Sequence, residues 1–437
     1  MSRTVRTPAG AALERVAAAG EGRAALFVFG VTVVSNALMA AAFFGLGLAN
    51  RGTMEYEALA RSLASGAGFV LEPGGAPVLW RPPLYILFLA AFHGLPADPY
   101  PFVVAAQVAM NGLTGVVLYR TASRLFDGAT AMAAALALAV HPIFVFNALR
   151  LMPETFFSLL LAVLAALTAR FFAGREPGPK DAAAVGLVTG LLSLTRASIQ
   201  FYIPFLAAAA LLAGERGRRA AVVKAAALAA VVMAAVVAPW TVRNYLVSGE
   251  FIAIDTSGGY TFWIGNRTAT DGLDDDPLTA EQFDEIKRDI ARILGMEYTD
   301  DFDISTTAWG SARASSLLYR EGLRNVLAEP VETVLLAIRK LYRFWFSYVG
   351  SGRGFQAAIA LLQAAVLLPA LAGLYIHIRD GGLRRSRGVL AFLSIVLYFM
   401  LLHMAATANA RYSVPVLPYV MPFAVVAARE AARRVWR

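Results

Sequence analysis

The sequence predicts a mainly α-helical, polytopic membrane protein with about ten transmembrane helices, amphipathic helices at the outer interface and a small mixed α/β periplasmic insertion. Three observations carry that expectation. Apolar residues make up 58% of the chain, more than a soluble core of this size uses; residues 24–49 hold no ionisable side chain; and similar apolar runs recur between short arginine-bearing connections. About 20 apolar residues suffice to cross ~30 Å of hydrocarbon.

The first span, 24–49, follows a polar leader holding Arg3, Arg6, Arg15 and Arg23. It exceeds the apolar core of a cleaved signal peptide and reads as a retained anchor with its N-terminus in the cytoplasm. Further spans are expected at 100–120, 128–147, 155–173, 182–196, 199–213, 221–241, 355–376, 389–407 and 412–428. That number returns the C-terminus to the cytoplasm. Arginine placement agrees, because arginine and lysine favour the cytoplasmic side. Arg120 and Arg124, Arg170, Arg175 and Lys180, Arg216 to Lys224, Arg379 to Arg387 and the Arg429–Arg437 tail fall on connections read as cytoplasmic. The short outer turns carry only Arg150, Arg196 and Arg411.

Two outer segments are long. Within the first, 50–99, Tyr56, Leu59, Ala60 and Leu63 recur at helical spacing, predicting a short amphipathic helix closed by Gly66. The run RPPLYILFLAAFHGL is too short to span and suits the interface. In the second, 242–330, FIAIDTSGGYTFWIGN reads as strand–turn–strand, with helices expected at 279–294 and 308–327. Residues 331–349, with Arg339, Lys340, Arg343, Trp345 and Tyr348, predict a basic aromatic helix at the headgroups. The chain thus divides into a transmembrane module at 1–241, the insertion at 242–330, and an interface helix with the last spans at 331–437.

Several chemistries are excluded. Without cysteine there is no disulfide, thiolate metal site or thiol nucleophile, and neither an HExxH nor a phosphate-binding P-loop occurs. No metal and no cofactor is expected. The net charge of +9 is dispersed between spans, so topology accounts for it and nucleic acid is not a partner.

Charged groups beside a bilayer are costly and are functional candidates by default. Arg81 before Pro82-Pro83, Arg196 in SLTRAS, Arg243 in PWTVRNY and Arg411 in NARYSVPVLPY stand at outer helix ends, against the positive-inside bias. Arginine grips phosphate with two parallel charge-assisted bonds, so several converging on one face would suit an anionic lipid head. Singly, each can also snorkel to water or cap a helix C-terminus. Glu55 and Glu57 flank Tyr56, and Glu154 stands in LMPETFF. A hydroxyl attacking an anomeric carbon needs a base, and the oxocarbenium-like transition state gains from nearby negative charge. Glu154 also suits the first turn of a helix behind Pro153, and Glu55 and Glu57 suit a solvated helix face. His403 reads as a buried imidazole bonded to a nearby carbonyl, and His141 before Pro142 as structural. The Asn266-Arg267-Thr268 sequon has no evident meaning here.

EYEALARSLASGAGF and WRPPLYILFLA, followed in order by LYRTASRLFDG, LRLMPETFFSLLL, GLLSLTRAS, APWTVRNYLVSGEFIAIDTSGGYTFWIGN and ARYSVPVLPYV, resemble the GT-C membrane glycosyltransferases. The likeness is to bacterial relatives of protein O-mannosyltransferases and of the lipid A aminoarabinose transferase, and covers about 24–428. It implies an inverting, nucleotide-independent enzyme of the bacterial inner membrane with its active site on the periplasmic side. The sugar would pass from a polyprenyl-phosphate carrier in the bilayer to a hydroxyl on a lipid, glycan or protein. It makes 1–241 the catalytic module, Glu55 the expected base and Glu154 the residue orienting acceptor or donor. Arg81, Arg196, Arg243 and Arg411 would hold the lipid phosphate, with Tyr56, Tyr412 and Trp240 shaping the cavity. The family's usual first-loop aspartate falls three or four residues before Tyr56, where this chain has Thr53 and Gly52. A catalytically inactive lipid-glycan binder therefore stands as an alternative. So does a transporter or flippase, although no internal repeat is visible and the charges lie at the outer boundary rather than the midplane.

Overall fold

The structure is a computed structural model describing residues 14–16, 20–47, 51–52, 55–172, 176–214, 216–270, 272, 278–299, 301–348 and 352–435. Arg3, Arg6, Thr53, Arg175 and Arg437 of the sequence reading lie outside the described residues. The chain is nearly all helical, at 78%, and folds as a polytopic membrane protein.

In chain order the helices are α1 (Glu21–Gly45), α2 (Tyr56–Ala64), α3 (Leu84–His93), α4 (Tyr100–Leu125), α5 (Gly128–Ala139), α6 (Pro142–Ala148), α7 (Glu154–Phe172), α8 (Pro179–Ser193) and α9 (Tyr202–Ala213). They continue as α10 (Arg219–Ser248), α11 (Gly258–Gly265), α12 (Ala280–Leu294), α13 (Ile304–Ala308), α14 (Ala312–Ala328), α15 (Pro330–Phe346), α16 (Arg353–Arg379), α17 (Val389–Ala405) and α18 (Leu417–Val435).

Among the described residues, six segments are long and apolar enough to cross a membrane: α1, α4, α7, α10, α16 and α18 with the turn before it. The expected span 128–147 is the pair α5 and α6, bent by 54°. The break falls at His141-Pro142, where proline starts a new helix and forces the residue before it out of the helical region. The remaining three expected spans are shorter. At ~1.5 Å per residue, the 15 residues of α8 reach only about 22 Å, less than the hydrocarbon thickness. Arg196 sits in the resulting break, with extended backbone between α8 and a 3-10 turn at Ala197–Ile199.

Small residues let helices approach where lipid gives no hydrophobic drive for association. A Cβ on Gly186 of α8 would lie 2.3 Å from the Ala229 carbonyl oxygen of α10. Any side chain there would prise the two helices apart.

The two long segments between spans match the expected helices in part. Tyr56, Leu59 and Ala60 of α2 are buried beside Tyr85, Ile86 and Leu89 of α3, with Phe69, Val78 and Trp80 of the loop between them. The insertion has a second small core of Tyr260, Trp263, Ile264, Ile286, Ile290 and Leu318. Its helix α12 starts with a capping box, Thr279 and Gln282 each satisfying the other's backbone N–H. The strand–turn–strand expected over 251–266 is a correction: residues 258–265 are helix α11, and the described residues contain no strand. The reason is tertiary. A Cβ on Gly259 would lie 2.0 Å from the Ser315 carbonyl oxygen, so the glycine pair lets a short helix dock on α14 where alternating apolar residues alone suggest a strand.

Helix α15 is apolar on two faces. Leu336, Phe344 and Trp345 are buried, whereas Val331, Val334, Ile338 and Tyr342 are exposed. Lys340 lies among the buried set, 1% exposed, its Nζ donating to Asn266 Oδ1 at 3.2 Å. Burial, with the Arg343 charge second, pushes this amine down to about 8. Between that value and the ordinary lysine pKa of ~10.4, the unfolded chain binds a proton that the folded chain does not, so stability rises with pH through this window. The melting temperature of the detergent-solubilised chain is expected to gain on that of Lys340→Met between about pH 8 and 10. A constant difference across the window would show that the amine is not desolvated.

Candidate active site at the outer helix ends

The first long loop turns back at Trp80-Arg81-Pro82-Pro83. The prolines fix the turn, and Leu84 donates its N–H to the Leu194 carbonyl at 2.8 Å, tying the loop to the end of α8. This places Arg81 over the start of α2. Its Nε donates to Glu55 Oε2 at 3.0 Å, and Trp80 Nε1 donates to the same oxygen at 2.9 Å. The guanidinium also lies 5.4 Å from the Tyr56 ring and 5.5 Å from that of Trp309. Glu55 Oε1 is left to accept from something else, on a side chain that is 22% exposed.

Glu57 lies on another face of α2. Its carboxylate pairs with Arg51 at 3.6 Å and Arg61 at 3.8 Å, away from Arg81. The helix therefore separates the two glutamates as their spacing requires.

Glu154 opens α7 and is 2% exposed. Its Oε1 accepts from Arg196 Nη1 at 3.0 Å; its Oε2 is buried with no hydrogen-bond partner among the described residues. An acid serving only the helix dipole would sit at the surface in water. This one is buried against a cation from the α8–α9 break, so the dipole reading does not account for it.

Arg196 lies 4.9 Å from the Tyr412 ring, and so does Arg411, whose Nη2 also donates to the Tyr412 hydroxyl at 2.8 Å. Tyr412 is clamped on its stacked side by His403, centroids 4.5 Å apart and planes 10° from parallel. The imidazole Nδ1 pairs with the Thr407 carbonyl at 2.8 Å, the structural role expected for it. Burial raises the Tyr56 hydroxyl, opposed by Arg81, Arg196 and Arg411 and aided by Glu154, so all four charges act at one point. Arg81 thus stands over Tyr56 with Glu55 as its partner, and Arg196 and Arg411 stand over Tyr412, with Glu154 paired to Arg196.

Arg243 is placed differently. Its Nη1 donates to the Val78 carbonyl at 3.0 Å and to Asn244 Oδ1 at 3.1 Å, and the guanidinium stacks 4.7 Å from Trp240 and 5.2 Å from Phe69. These contacts pin the first loop to α10. Trp240 joins the same buttress, its Nε1 donating to the Ile254 carbonyl at 2.9 Å.

The structure adds the surroundings of three further residues. Arg150 donates through Nη1 to the Tyr348 hydroxyl at 2.7 Å, and the charges of Arg150, Glu154 and Arg411 all act on Tyr348. Asp255 lies within the field of Arg81. Burial pushes its carboxyl up, against hydrogen bonds from Ser257 and the Arg81 charge. Gly52, one of the positions expected to carry an acid, has φ +51°, and a Cβ there would meet Arg150 Nε at 2.4 Å. The guanidinium of Arg150 fills the space a side chain at 52 would take.

Residues 80–242 match the family model described as dolichyl-phosphate-mannose-protein mannosyltransferase. No curated protein matches the sequence. The archaeal oligosaccharyltransferase AglB from Archaeoglobus fulgidus, in complex with an inhibitory peptide and a dolichol-phosphate, has the same fold at a TM-score of 0.54 and 11% identity. That alignment covers 94% of this chain and 50% of the other. The apo form of the Archaeoglobus fulgidus oligosaccharyltransferase gives 0.55 and 14% over 94% and 51% of the two chains. This chain thus spans about half the length of those structures. ArnT from Cupriavidus metallidurans, bound to undecaprenyl phosphate, aligns at a TM-score of 0.41 and 14% identity over 93% of this chain and 78% of that one. The chain has a GT-C glycosyltransferase-like fold, with the mannosyltransferase pattern across 80–242.

Proposed function

We propose that this protein is an inverting glycosyltransferase that moves a sugar from a polyprenyl-phosphate carrier to an acceptor hydroxyl at the outer face of a bacterial inner membrane. The observation that carries the reading is Glu154, buried to 2% exposure and gripped by Arg196 through one oxygen, within a ring of charged outer helix ends. A site for neutral cargo has no use for so many desolvated charges. AglB, whose fold this chain shares, has been captured with a dolichol-phosphate, the same class of ligand.

In this reading Arg196 and Arg411 stabilise the negative charge that develops on the departing lipid phosphate, with Arg81 beside them. Glu154 orients the donor through Arg196, whose guanidinium it holds on Oε1. Glu55 takes the proton of the attacking acceptor hydroxyl on Oε1, while Trp80 and Arg81 hold its other oxygen in place. Arg243 and Trp240 position the loop that carries Arg81. The acceptor approaches from outside, where Glu55 is the more accessible of the two carboxylates.

Mass spectrometry of lipid-linked and envelope glycans, with and without the gene, tests the reaction. Loss of the gene is expected to accumulate a polyprenyl-phosphate sugar and remove one glycan modification; unchanged profiles would overturn it. Reporter fusions test the orientation: Gly75 and Gly272 are expected outside, Gly217 and Gly381 in the cytoplasm. A cytoplasmic Gly272 would put the cluster on the wrong face.

A second reading has its own observation. Arg150 occupies the place where a side chain at position 52 would stand, so an acid is absent there and cannot be added without moving the guanidinium. A chain that binds the carrier lipid without transferring its sugar follows if Glu55 does not serve as base.

A further inference from the structure

Helix α14 of the insertion carries an apolar row that its own core does not use. Ala314, Ser315, Leu318 and Gly322 are buried, whereas Tyr319, Leu323 and Leu327, spaced by four, are exposed. The row resumes on α15 with Val331, Val334, Ile338 and Tyr342, and it is barest at the junction, where Leu327 is 72% exposed and Val331 70%. The charged residues that directly follow a member of the row are Arg320, Arg324, Arg339, Arg343 and a single acid, Glu332. One residue is a step of about 100° round a helix, so these guanidinium groups flank the row along one side. Both ends of the helix pair are tied to the membrane-crossing bundle. At the start of α14, Ala312 donates its N–H to Glu250 Oε2 at 2.7 Å, just past the end of α10. At the end of α15, Phe344, Trp345 and Tyr348 enter the main helical core, where Phe344 stacks on His403 of α17 at 5.4 Å. A long apolar strip is rarely left to water.

We propose that the exposed faces of α14 and α15 rest on the lipid surface of the membrane that the chain itself spans, with the apolar row among the acyl chains and the arginines at the phosphates. Continuity and charge select this occupant. The row runs along α15 from its first turn to its last, so one flat surface covers it only if the helix lies along that surface. Its end is packed into the bundle, which makes the bilayer the surface at hand. The polar flank is mainly basic, as in helices that lie at anionic headgroups. A second copy of the chain, docked face to face by a two-fold axis, would set these arginines against their own kind. The composition of 331–349 alone points to the headgroups; the structure extends that face to α14, and so seats the insertion itself on lipid. The inference concerns this surface alone and holds whether or not the chain transfers sugar.

The chain has no cysteine, so single cysteines can be introduced and spin-labelled without background. Leu323→Cys, Leu327→Cys, Val331→Cys and Ile338→Cys replace exposed side chains and leave the buried faces intact. Each full chain is placed, one copy per nanodisc, in phosphatidylethanolamine with phosphatidylglycerol. The label is then exposed to oxygen, which concentrates in lipid, and to a water-soluble nickel chelate. Glu281→Cys on α12 and Leu368→Cys on α16, both exposed positions, calibrate water and lipid. All four row labels are expected to favour oxygen as Leu368→Cys does, with nickel collisions several-fold rarer than at Glu281→Cys. Nickel reaching the row as freely as Glu281→Cys, in protein that melts like the parent, would overturn the proposal. So would protection from both reagents, which means burial against protein, or protection that appears only in vesicles crowded with the chain, which means contact between copies. In nanodiscs of phosphatidylcholine alone the row is expected to lie shallower. Equal depth in both lipids would overturn the pairing of the arginines with anionic phosphates.

Discussion

Glu55→Gln is expected to cut sugar transfer by about 10²- to 10⁴-fold, the usual cost of removing a general base, while Glu57→Gln stays within a few-fold of the parent. The contrast is sharp because the two residues sit one helical position either side of Tyr56. Glutamine keeps the acceptor oxygen that Trp80 and Arg81 hold, so the loop stays in place and only basicity is lost. Glu57 meets Arg51 and Arg61 instead, and its loss removes a partly exposed pair worth at most ~1 kcal/mol. The measurement is accumulation of lipid-linked donor in a deletion strain carrying each variant. If Glu57→Gln is the silent one, the base lies on the other face of α2. If neither matters and Gly52→Asp together with Thr53→Asp creates activity, the chain binds its lipid without catalysing.

Arg196→Ala is expected to lower turnover by about 10- to 100-fold, the equivalent of one charge-assisted phosphate contact of ~1.5–3 kcal/mol. It carries a second effect. Glu154 is 2% exposed, and stripping its partner leaves a buried charge alone, which typically costs about 3–5 kcal/mol of stability. The double variant Arg196→Ala with Glu154→Gln separates the two: melting temperature is expected to recover, activity is not. Arg196→Lys should restore part of the turnover, since an ammonium carries the charge without the bidentate fork. Arg411→Ala, tested beside it, should lose turnover through Tyr412 and its stack on His403. Full activity in both alanine variants would reduce these arginines to helix-end snorkels.

Much of the architecture was legible because lipid imposes a simple rule on composition. Long uncharged runs such as 24–49 admit one reading, and α1, α4, α7, α10, α16 and α18 follow them. The runs on either side of Arg196 read as spans, yet α8 and α9 are too short to be judged by hydropathy, and packing through Gly186 against α10 holds α8 in place. The insertion was misread where tertiary contact overrides local pattern, since Gly258-Gly259 invites a turn until Ser315 is known to lie against it. The positive-inside bias singles out Arg81, Arg196 and Arg411, which the fold sets against Glu55, Glu154 and Tyr412 respectively. The same signal gave Arg243, which the fold uses on backbone carbonyls of the first loop. Nothing in the local sequence distinguishes an arginine that meets a carboxylate from one that meets a loop. Asp255 escaped notice because IDTSGG reads as a turn, and Arg150 drew no role because it sits alone in a short connection.

The first loop is tied to the end of α8 by Leu84 and, through the Arg243 buttress, to α10. That helix has 30 residues, about 45 Å at ~1.5 Å each, so it outreaches a ~30 Å hydrocarbon layer and must lean or protrude. Its C-terminal end is fastened through Arg243 to the carbonyls of Val78 and Phe69, and Val78 lies two residues before Trp80. A thicker bilayer stands a long helix more upright and a thinner one tips it further. If Glu55 is the base, transfer is expected to change with acyl-chain length in vesicles of otherwise fixed composition.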